Sequence, residues 1–299
     1  MKILVSDKLA HEGVELLKNA GHEVVEAWDE PKEDLPNIIG DCDAIVVRSA
    51  TKVRGELLDA GKNLKVIGRA GIGLDNVDLE TAKARGIVVR NTPTATTQTV
   101  AELTMGLMLC TVRDIVRGTT GLREGKWEKK QLKGYELYKK TLGVIGAGRI
   151  GLAVADRARG FGMEILCYDP YTKPEGYNNV DLETLLKQSD FLTLHLPLTP
   201  ETKHMISDAQ FAIMKEGVRI VDAARGGVID EEALYKAMTS NKVASCALDV
   251  FETEPPGDNK LLTLPNLICT PHIGAQTFEG QLRAGIMVAE AVNEELAKL

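Results

Sequence analysis

Short, wholly apolar runs rich in β-branched residues alternate along the chain with stretches whose apolar residues recur every three or four positions. The first part offers "KILVS", "EVVEA", "AIVVR", "KVIGR" and "GIVVR", separated by helical patterns such as "AHEGVELLKNAG". The later part offers six more: "TLGVIG", "MEILCYD", "DFLTLHLP", "GVRIVDAA", "ASCALDV" and "NLICT". Strands that stay apolar on both faces belong to parallel sheets covered by helices on both sides. The pattern predicts an α/β protein with two doubly wound parallel sheets.

Between the two sets lies "NTPTATTQTVAELTMGLMLCTVRDIVRG". It reads as a Thr/Pro-rich turn followed by one long helix, capped by a threonine with Glu102 in the first turn. That is the signature of a crossing between domains. The last stretch, "TFEGQLRAGIMVAEAVNEELAKL", has helical spacing and no seventh strand to join in the second sheet, so it is expected to return to the first domain. The expected domains are therefore 1–93 plus 276–299, discontinuous, and 94–275. A cleft between two α/β domains is a common place for a ligand.

Composition narrows the function. Of 299 residues, 44% are hydrophobic and 26% charged, the mixture of a soluble globular protein. The net charge of −7, without a Lys/Arg run, argues against nucleic acid as a partner. The five cysteines form no C-x-x-C pair and four lie in apolar runs, so buried free thiols in a reducing compartment are expected, with neither metal nor disulfide. "MKILVSD" enters a strand directly, without a signal-peptide core, and "LTMGLMLCTV" is too short to span a bilayer. These readings predict a cytoplasmic protein with no membrane partner.

The stretch "TLGVIGAGRIGLAVADRARGFGMEILCYD" carries the first chemistry. Gly146, Gly148 and Gly151 form G-x-G-x-x-G between a strand and a helix, the pattern that cradles a pyrophosphate on a helix N-terminus. A lone match is weak, but Asp169 ends the next strand, where a carboxylate would accept the adenosine ribose hydroxyls. It would also repel a 2′-phosphate, and Pro170 follows where an arginine could have bound one, so the pattern predicts NAD rather than NADP.

A dinucleotide site asks for a group that moves a proton and a cation that holds the substrate. Arg225, in "VDAARGG", follows an apolar strand beside two glycines; it suits a carboxylate, although a surface arginine is the plain alternative. "LDVFETEPP" carries Asp249, Glu252 and Glu254, ordinarily solvated charges unless one has a partner. The candidate partner is His272, between Pro271 and Gly274 in "ICTPHIGAQT", because a carboxylate bonded to an imidazole fixes its tautomer for acid–base work. All three loops follow parallel strands at their carboxyl ends, where such sheets place sites. His11 and His22 read as surface residues, His204 as a loop residue, and His195 as lining the cofactor cleft.

Together "RAGIGLDNVD", "GKWEKKQLKGYELYKKTLGVIGAGRIG", "DAARGGVIDEEAL", "ALDVFETEPP" and "TPHIGAQT" resemble the D-2-hydroxyacid dehydrogenases through essentially the whole chain. The resemblance implies a discontinuous flavodoxin-like substrate domain and a Rossmann NAD-binding domain. It implies Arg225 as substrate anchor, Glu254 as histidine partner and His272 as acid/base. Cofactor contacts implied are Ile72, Gly146, Gly148, Arg149, Ile150, Gly151, Asp169, His195, Leu196, Pro197, Ala223, Ala224, Asp249, Gly274 and Ala275. Substrate contacts implied are Arg48, Ser49, Ala70, Gly71, Ile72, Gly73, Arg225 and His272.

Within the family the motifs look most like members that oxidise 3-phospho-D-glycerate to 3-phosphohydroxypyruvate. A glyoxylate or hydroxypyruvate reductase shares the same catalytic residues, and NAD-sensing corepressors share the fold. Such members pair through their nucleotide-binding domains, which implies a homodimer with Trp127 near the interface. At 94–97 the chain reads "TATT" where such members usually carry a Gly-Asn pair, so contacts there depart from the pattern. Longer relatives continue into serine-binding domains; ending at Leu299, this chain is expected to lack serine feedback.

Overall fold

In the computed structural model, which describes residues 1–299, every strand pairing is parallel. The chain divides into two units, Met1–Thr97 with Ala275–Leu299, and Gln98–Gly274. The crossings thus fall at 97/98 and 274/275.

The first unit holds β1 (Lys2–Val5), β2 (Glu23–Glu26), β3 (Ala44–Val47), β4 (Val66–Arg69) and β5 (Val88–Asn91), in the order β2-β1-β3-β4-β5. This is the flavodoxin-like order, with its reversal between β1 and β3. All four residues of β3 are buried, as a central strand covered on both faces requires. The final helix, Phe278–Leu296, starts where Thr277 accepts the Gly280 amide at 3.0 Å. As expected it returns to this unit. Val288, Ala289 and Val292 pack with Ile3, Val5, Val46 and Val66. It crosses the helix His11–Asn19 backbone to backbone: a methyl group on Gly13 would lie 2.5 Å from the Gly285 carbonyl.

The second unit holds β6 (Thr141–Ile145), β7 (Glu164–Tyr168), β8 (Asn178–Asn179), β9 (Phe191–Leu194), β10 (Val218–Asp222), β11 (Val243–Leu248) and β12 (Leu267–Cys269). Their order is β12-β11-β10-β9-β6-β7-β8, with the reversal between β6 and β9. Two clusters cover the faces of the sheet. Ile220, Leu234 and Phe211 belong to one, Val144, Val154 and Met108 to the other. Each fully buried side chain of this kind contributes about 1.5–3 kcal/mol.

Four expectations need correction. The sheet has seven strands, not six, because β8 is two exposed asparagines with no apolar run to mark it. The long helix is two, Thr97–Arg113 and Ile115–Arg123, separated at Asp114, whose φ is +49°. Because the first of them starts at Thr97, Glu102 lies past its first turn. Cys269 is exposed although its run is apolar, since β12 is the edge strand and has one neighbour; Cys42, Cys167 and Cys246 are buried. No helix is long and apolar enough to cross a membrane.

The consequence for function is geometric. In an all-parallel sheet, the loops after β6, β7, β9, β10, β11 and β12 emerge at one edge. Those loops carry Gly146–Gly151, Asp169, His195, Arg225, Glu254 and His272.

Candidate active site

The three loop glycines have three different surroundings. Gly146 has φ +93°, and a β-carbon there would lie 2.6 Å from the His195 carbonyl oxygen and 3.0 Å from Leu196. A β-carbon on Gly151 would lie 2.1 Å from the Gly146 carbonyl oxygen, so the helix Arg149–Gly160 packs directly on the turn. Gly148 caps that helix, and a β-carbon there would have nothing within 4 Å. The first and third glycines make the turn, and the second leaves open space before unpaired helix N–H groups. That cradle fits a pyrophosphate. Arg149 is exposed at the helix start and Ile150 part-buried behind it.

Asp169 joins this loop. One carboxylate oxygen accepts the Ala147 amide at 3.0 Å, and the other accepts the amides of Tyr171 and Thr172 at 2.9 and 3.0 Å. A carboxylate offers about four acceptor positions, which leaves room for a hydroxyl. Leu196 and Pro197 continue the β9 loop, part-buried and exposed. His195 bonds Thr193 through Nε2 at 2.9 Å, while Nδ1 is shut off from solvent without a partner. Burial drives its pKa down to about 3. It is a neutral ring beside the glycine turn.

His272 and Glu254 meet. Nδ1 of His272 lies 2.8 Å from a Glu254 carboxylate oxygen, and the other oxygen accepts the Phe251 amide at 3.2 Å. Burial pushes the Glu254 carboxyl up, but the His272 bond and charge, the Phe251 amide and the Arg225 charge outweigh it. The net effect holds the carboxyl below its usual range. With Nδ1–H committed to a carboxylate, Nε2 of His272 is left to give or take a proton. Arg225 is part-buried, with Nη1 donating to its own Ala224 carbonyl at 2.7 Å. Ala223 and Ala224 are buried beneath it.

Asp249 proves to be fully buried rather than a solvated loop charge. Its carboxylate accepts Thr270 Oγ1 at 2.6 Å and the amides of Ile273 and Gly274 at 2.8 and 2.7 Å. Its carbonyl accepts the His272 amide at 2.8 Å. Asp249 thereby fastens the loop on both sides of His272, whose φ is +52°. Gly274 is buried against it and Ala275 follows, part-buried.

In the first unit, Arg48 and Ser49 follow β3. Sequence reading missed what holds them. Asp7, at the end of β1, accepts the amides of Arg48 and Thr51 at 2.7 and 3.1 Å, and Thr51 Oγ1 at 2.7 Å. Asn76 donates to the carbonyls of Arg48 and Thr51. The sign was a carboxylate directly after the apolar run "KILVS". Burial lowers the Arg48 pKa, and Nη1 donates to the Lys8 carbonyl at 3.2 Å. In the Ala70–Gly73 loop, Arg69 lays its guanidinium over Gly71, and Asn91 donates to the Ile72 carbonyl at 2.6 Å.

The remaining histidines stand apart from this chemistry. His204 lies 3.1 Å from Glu252, and His11 is exposed. His22 is half-buried rather than a surface residue; its Nδ1 has no partner, and burial lowers its pKa.

Residues 105–274 match the family model for the NAD-binding domain of D-isomer-specific 2-hydroxyacid dehydrogenases. A hydroxypyruvate reductase of Thermotoga maritima is 54% identical, over 99% of this chain and 98% of its own. A D-3-phosphoglycerate dehydrogenase of Methanocaldococcus jannaschii is 51% identical over 99% of this chain, which spans 57% of that relative. A crystal structure of a glyoxylate reductase from Paecilomyes thermophila superposes with a TM-score of 0.89 at 34% identity, covering 100% of this chain and 96% of that one.

Proposed function

The chain belongs to the D-isomer-specific 2-hydroxyacid dehydrogenases, NAD-dependent oxidoreductases, and from that premise we propose that its substrate is 3-phospho-D-glycerate, oxidised to 3-phosphohydroxypyruvate. The observation that carries the catalytic reading is the 2.8 Å bond between His272 Nδ1 and Glu254. It fixes the imidazole with Nε2 outward. Nε2 removes the proton of the substrate hydroxyl, and Glu254 stabilises the imidazolium that results. Arg225 holds the substrate carboxylate through two N–H groups and polarises the adjacent C–O bond. In the opposite direction His272 returns the proton to the carbonyl oxygen.

Bound there, NAD would supply the acceptor for the hydride that leaves C2. The residues proposed to hold it are Gly146–Gly151, with Asp169 at the ribose and His195, Leu196 and Pro197 along the β9 loop. Ala223, Ala224, Asp249, Gly274 and Ala275 complete that set, with Ile72 from the first unit. Arg48, Ser49 and the Ala70–Gly73 loop are the proposed substrate contacts of the first unit, with Arg48 and Arg69 as the cations for a phosphate. The reaction would open the phosphorylated route to serine.

One observation favours a second reading, hydroxypyruvate as the oxidised substrate. The Thermotoga maritima hydroxypyruvate reductase matches along nearly its whole length. The two readings differ only by a phosphate on the same three-carbon skeleton. Initial rates with NADH and either 3-phosphohydroxypyruvate, hydroxypyruvate or glyoxylate separate them. The phosphorylated compound is expected to have the highest kcat/KM; a higher value for hydroxypyruvate replaces it as substrate.

We also propose that two copies pair through the second unit. Ile115, Leu122 and Trp127, which are 49%, 61% and 79% exposed, line one hollow of about 550 Å³. Exposed apolar groups collected in one place mark an association surface.

A further inference from the structure

At the end of β10 lies a carboxyl that the mechanism leaves without a task. Asp222 is 2% exposed, whereas the side chains of Glu254 and His272 are 40% and 44% exposed. Its carbonyl accepts the Asp249 amide at 2.8 Å, which ties the end of β10 to the loop that fastens His272. One carboxyl oxygen accepts the Ala224 amide at 2.9 Å, closing the turn that leads into Arg225. An acidic side chain at this depth is unusual unless it is well supplied with donors. The neighbouring Asp249 carboxylate has three of them, from the 270–274 loop.

The groups facing Asp222 are few. Arg225 comes from its own loop, Cys246 from β11 and Asp249 from the loop that follows β11. On β9 the residue opposite is Leu194, and the following histidine is neutral and bonded to Thr193. Burial pushes the Asp222 carboxyl up to about 7, with Asp249 adding to the push. The Ala224 and Arg225 amides and the Arg225 charge pull against it.

We propose that Asp222 is a positioning residue for the substrate anchor: its buried carboxyl sets the turn that presents Arg225, and its charge state sets how strongly that guanidinium holds a substrate carboxylate. Neutral Asp222 draws none of the Arg225 charge away from the substrate. Ionised Asp222 competes for it. Substrate binding and Asp222 protonation therefore favour one another, and the coupling is reciprocal. The proposal rests on the reading of Arg225 as carboxylate anchor.

The test compares the wild type with Asp222→Asn, which keeps an oxygen for the Ala224 amide and cannot ionise. KM for the preferred 2-oxo acid and the Kd for NADH are measured from pH 6 to 8.5. In the wild type KM is expected to rise about fivefold across that range, the low end of ordinary coupling between sites. In the variant the rise should disappear while NADH affinity stays the same. His272 is present in both proteins, so the difference isolates Asp222. Superimposable KM profiles overturn the proposal.

A second measurement covers a variant that fails to fold and a protein that turns over none of the 2-oxo acids. His272→Asn protein with NADH is titrated calorimetrically with oxamate, a carboxylate beside an unreactive carbonyl, in buffers of different ionisation heat at pH 7.5. Proton uptake on binding supports the proposal. Binding without uptake overturns it, and absence of oxamate binding overturns both it and the anchor role of Arg225. Absence of turnover with proton uptake on oxamate would instead sink the substrate reading alone.

Discussion

His272 occupies a left-handed backbone conformation, φ +52°, which costs a residue with a β-carbon about 1–3 kcal/mol. The Asp249 carboxylate and carbonyl meet that cost with bonds to Thr270, His272, Ile273 and Gly274. The ring is thus placed by a buried residue and polarised by an exposed one, Glu254. Replacing His272 by Ala should lower kcat about 10²–10⁴-fold, the usual worth of general acid–base catalysis. The Kd for NADH, followed by fluorescence, should hold; near-normal turnover would remove His272 from the mechanism.

His195 makes a separate prediction at this scale. Its folded pKa of about 3 lies below the 6.5 of an exposed histidine, so the unfolded chain takes up a proton first. The stability it contributes is complete above pH 6.5 and declines as pH falls toward 3, by at most about 1.4 kcal/mol per pH unit. Urea unfolding at pH 7 and pH 5 should show a smaller loss for His195→Asn than for the wild type. Equal losses would mean that the ring takes a proton in the folded state.

At the level of elements, the β6 turn and the helix Arg149–Gly160 separate folding from binding within six residues. A methyl group on Gly151 meets the Gly146 carbonyl oxygen at 2.1 Å, backbone that cannot swing away. Gly151→Ala should therefore lower stability by about 1–3 kcal/mol, as overpacking does. A β-carbon on Gly148 meets nothing within 4 Å. Gly148→Val should leave the thermal midpoint in place and weaken NADH binding about tenfold or more, a loss of at least 1.4 kcal/mol. A fall in midpoint for Gly148→Val, or unchanged NADH affinity, would contradict the assignment of the open space to the cofactor.

For the whole molecule the testable question is association. A stable pair buries roughly 800 Å² on each partner, more than isolated exposed side chains supply, so the surface around Ile115, Val116, Leu122 and Trp127 should act together. Sedimentation is expected to give a dimer for the wild type and a monomer for Val116→Glu combined with Leu122→Glu. A wild-type monomer at micromolar concentration would remove this surface as an interface. Activity of the monomeric variant would then separate pairing from catalysis.

Much of this protein is written locally. Apolar runs such as "AIVV" form strands because both faces of a parallel sheet exclude water, and Gly146 is readable because its turn needs a positive φ. Arg225 and His272 are readable because each follows such a run at its carboxyl end; Glu254 is one of three acids in its loop, and only the family resemblance singles it out. Other features belong to the assembled chain. β8 is two asparagines, placed by pairing with β7 and by Asn179 donating to the Pro174 and Tyr177 carbonyls, and Asp114 breaks a helix whose apolar pattern continues through it. Cys269 is exposed because nothing pairs with the far side of β12. Asp7, Asp222 and Asp249 look like ordinary acidic loop residues, yet each is buried. What they hold lies up to 44 residues away, at the end of a neighbouring strand. Periodicity reports which way a side chain faces; which distant donors reach a buried carboxylate is decided only when the strands lie side by side.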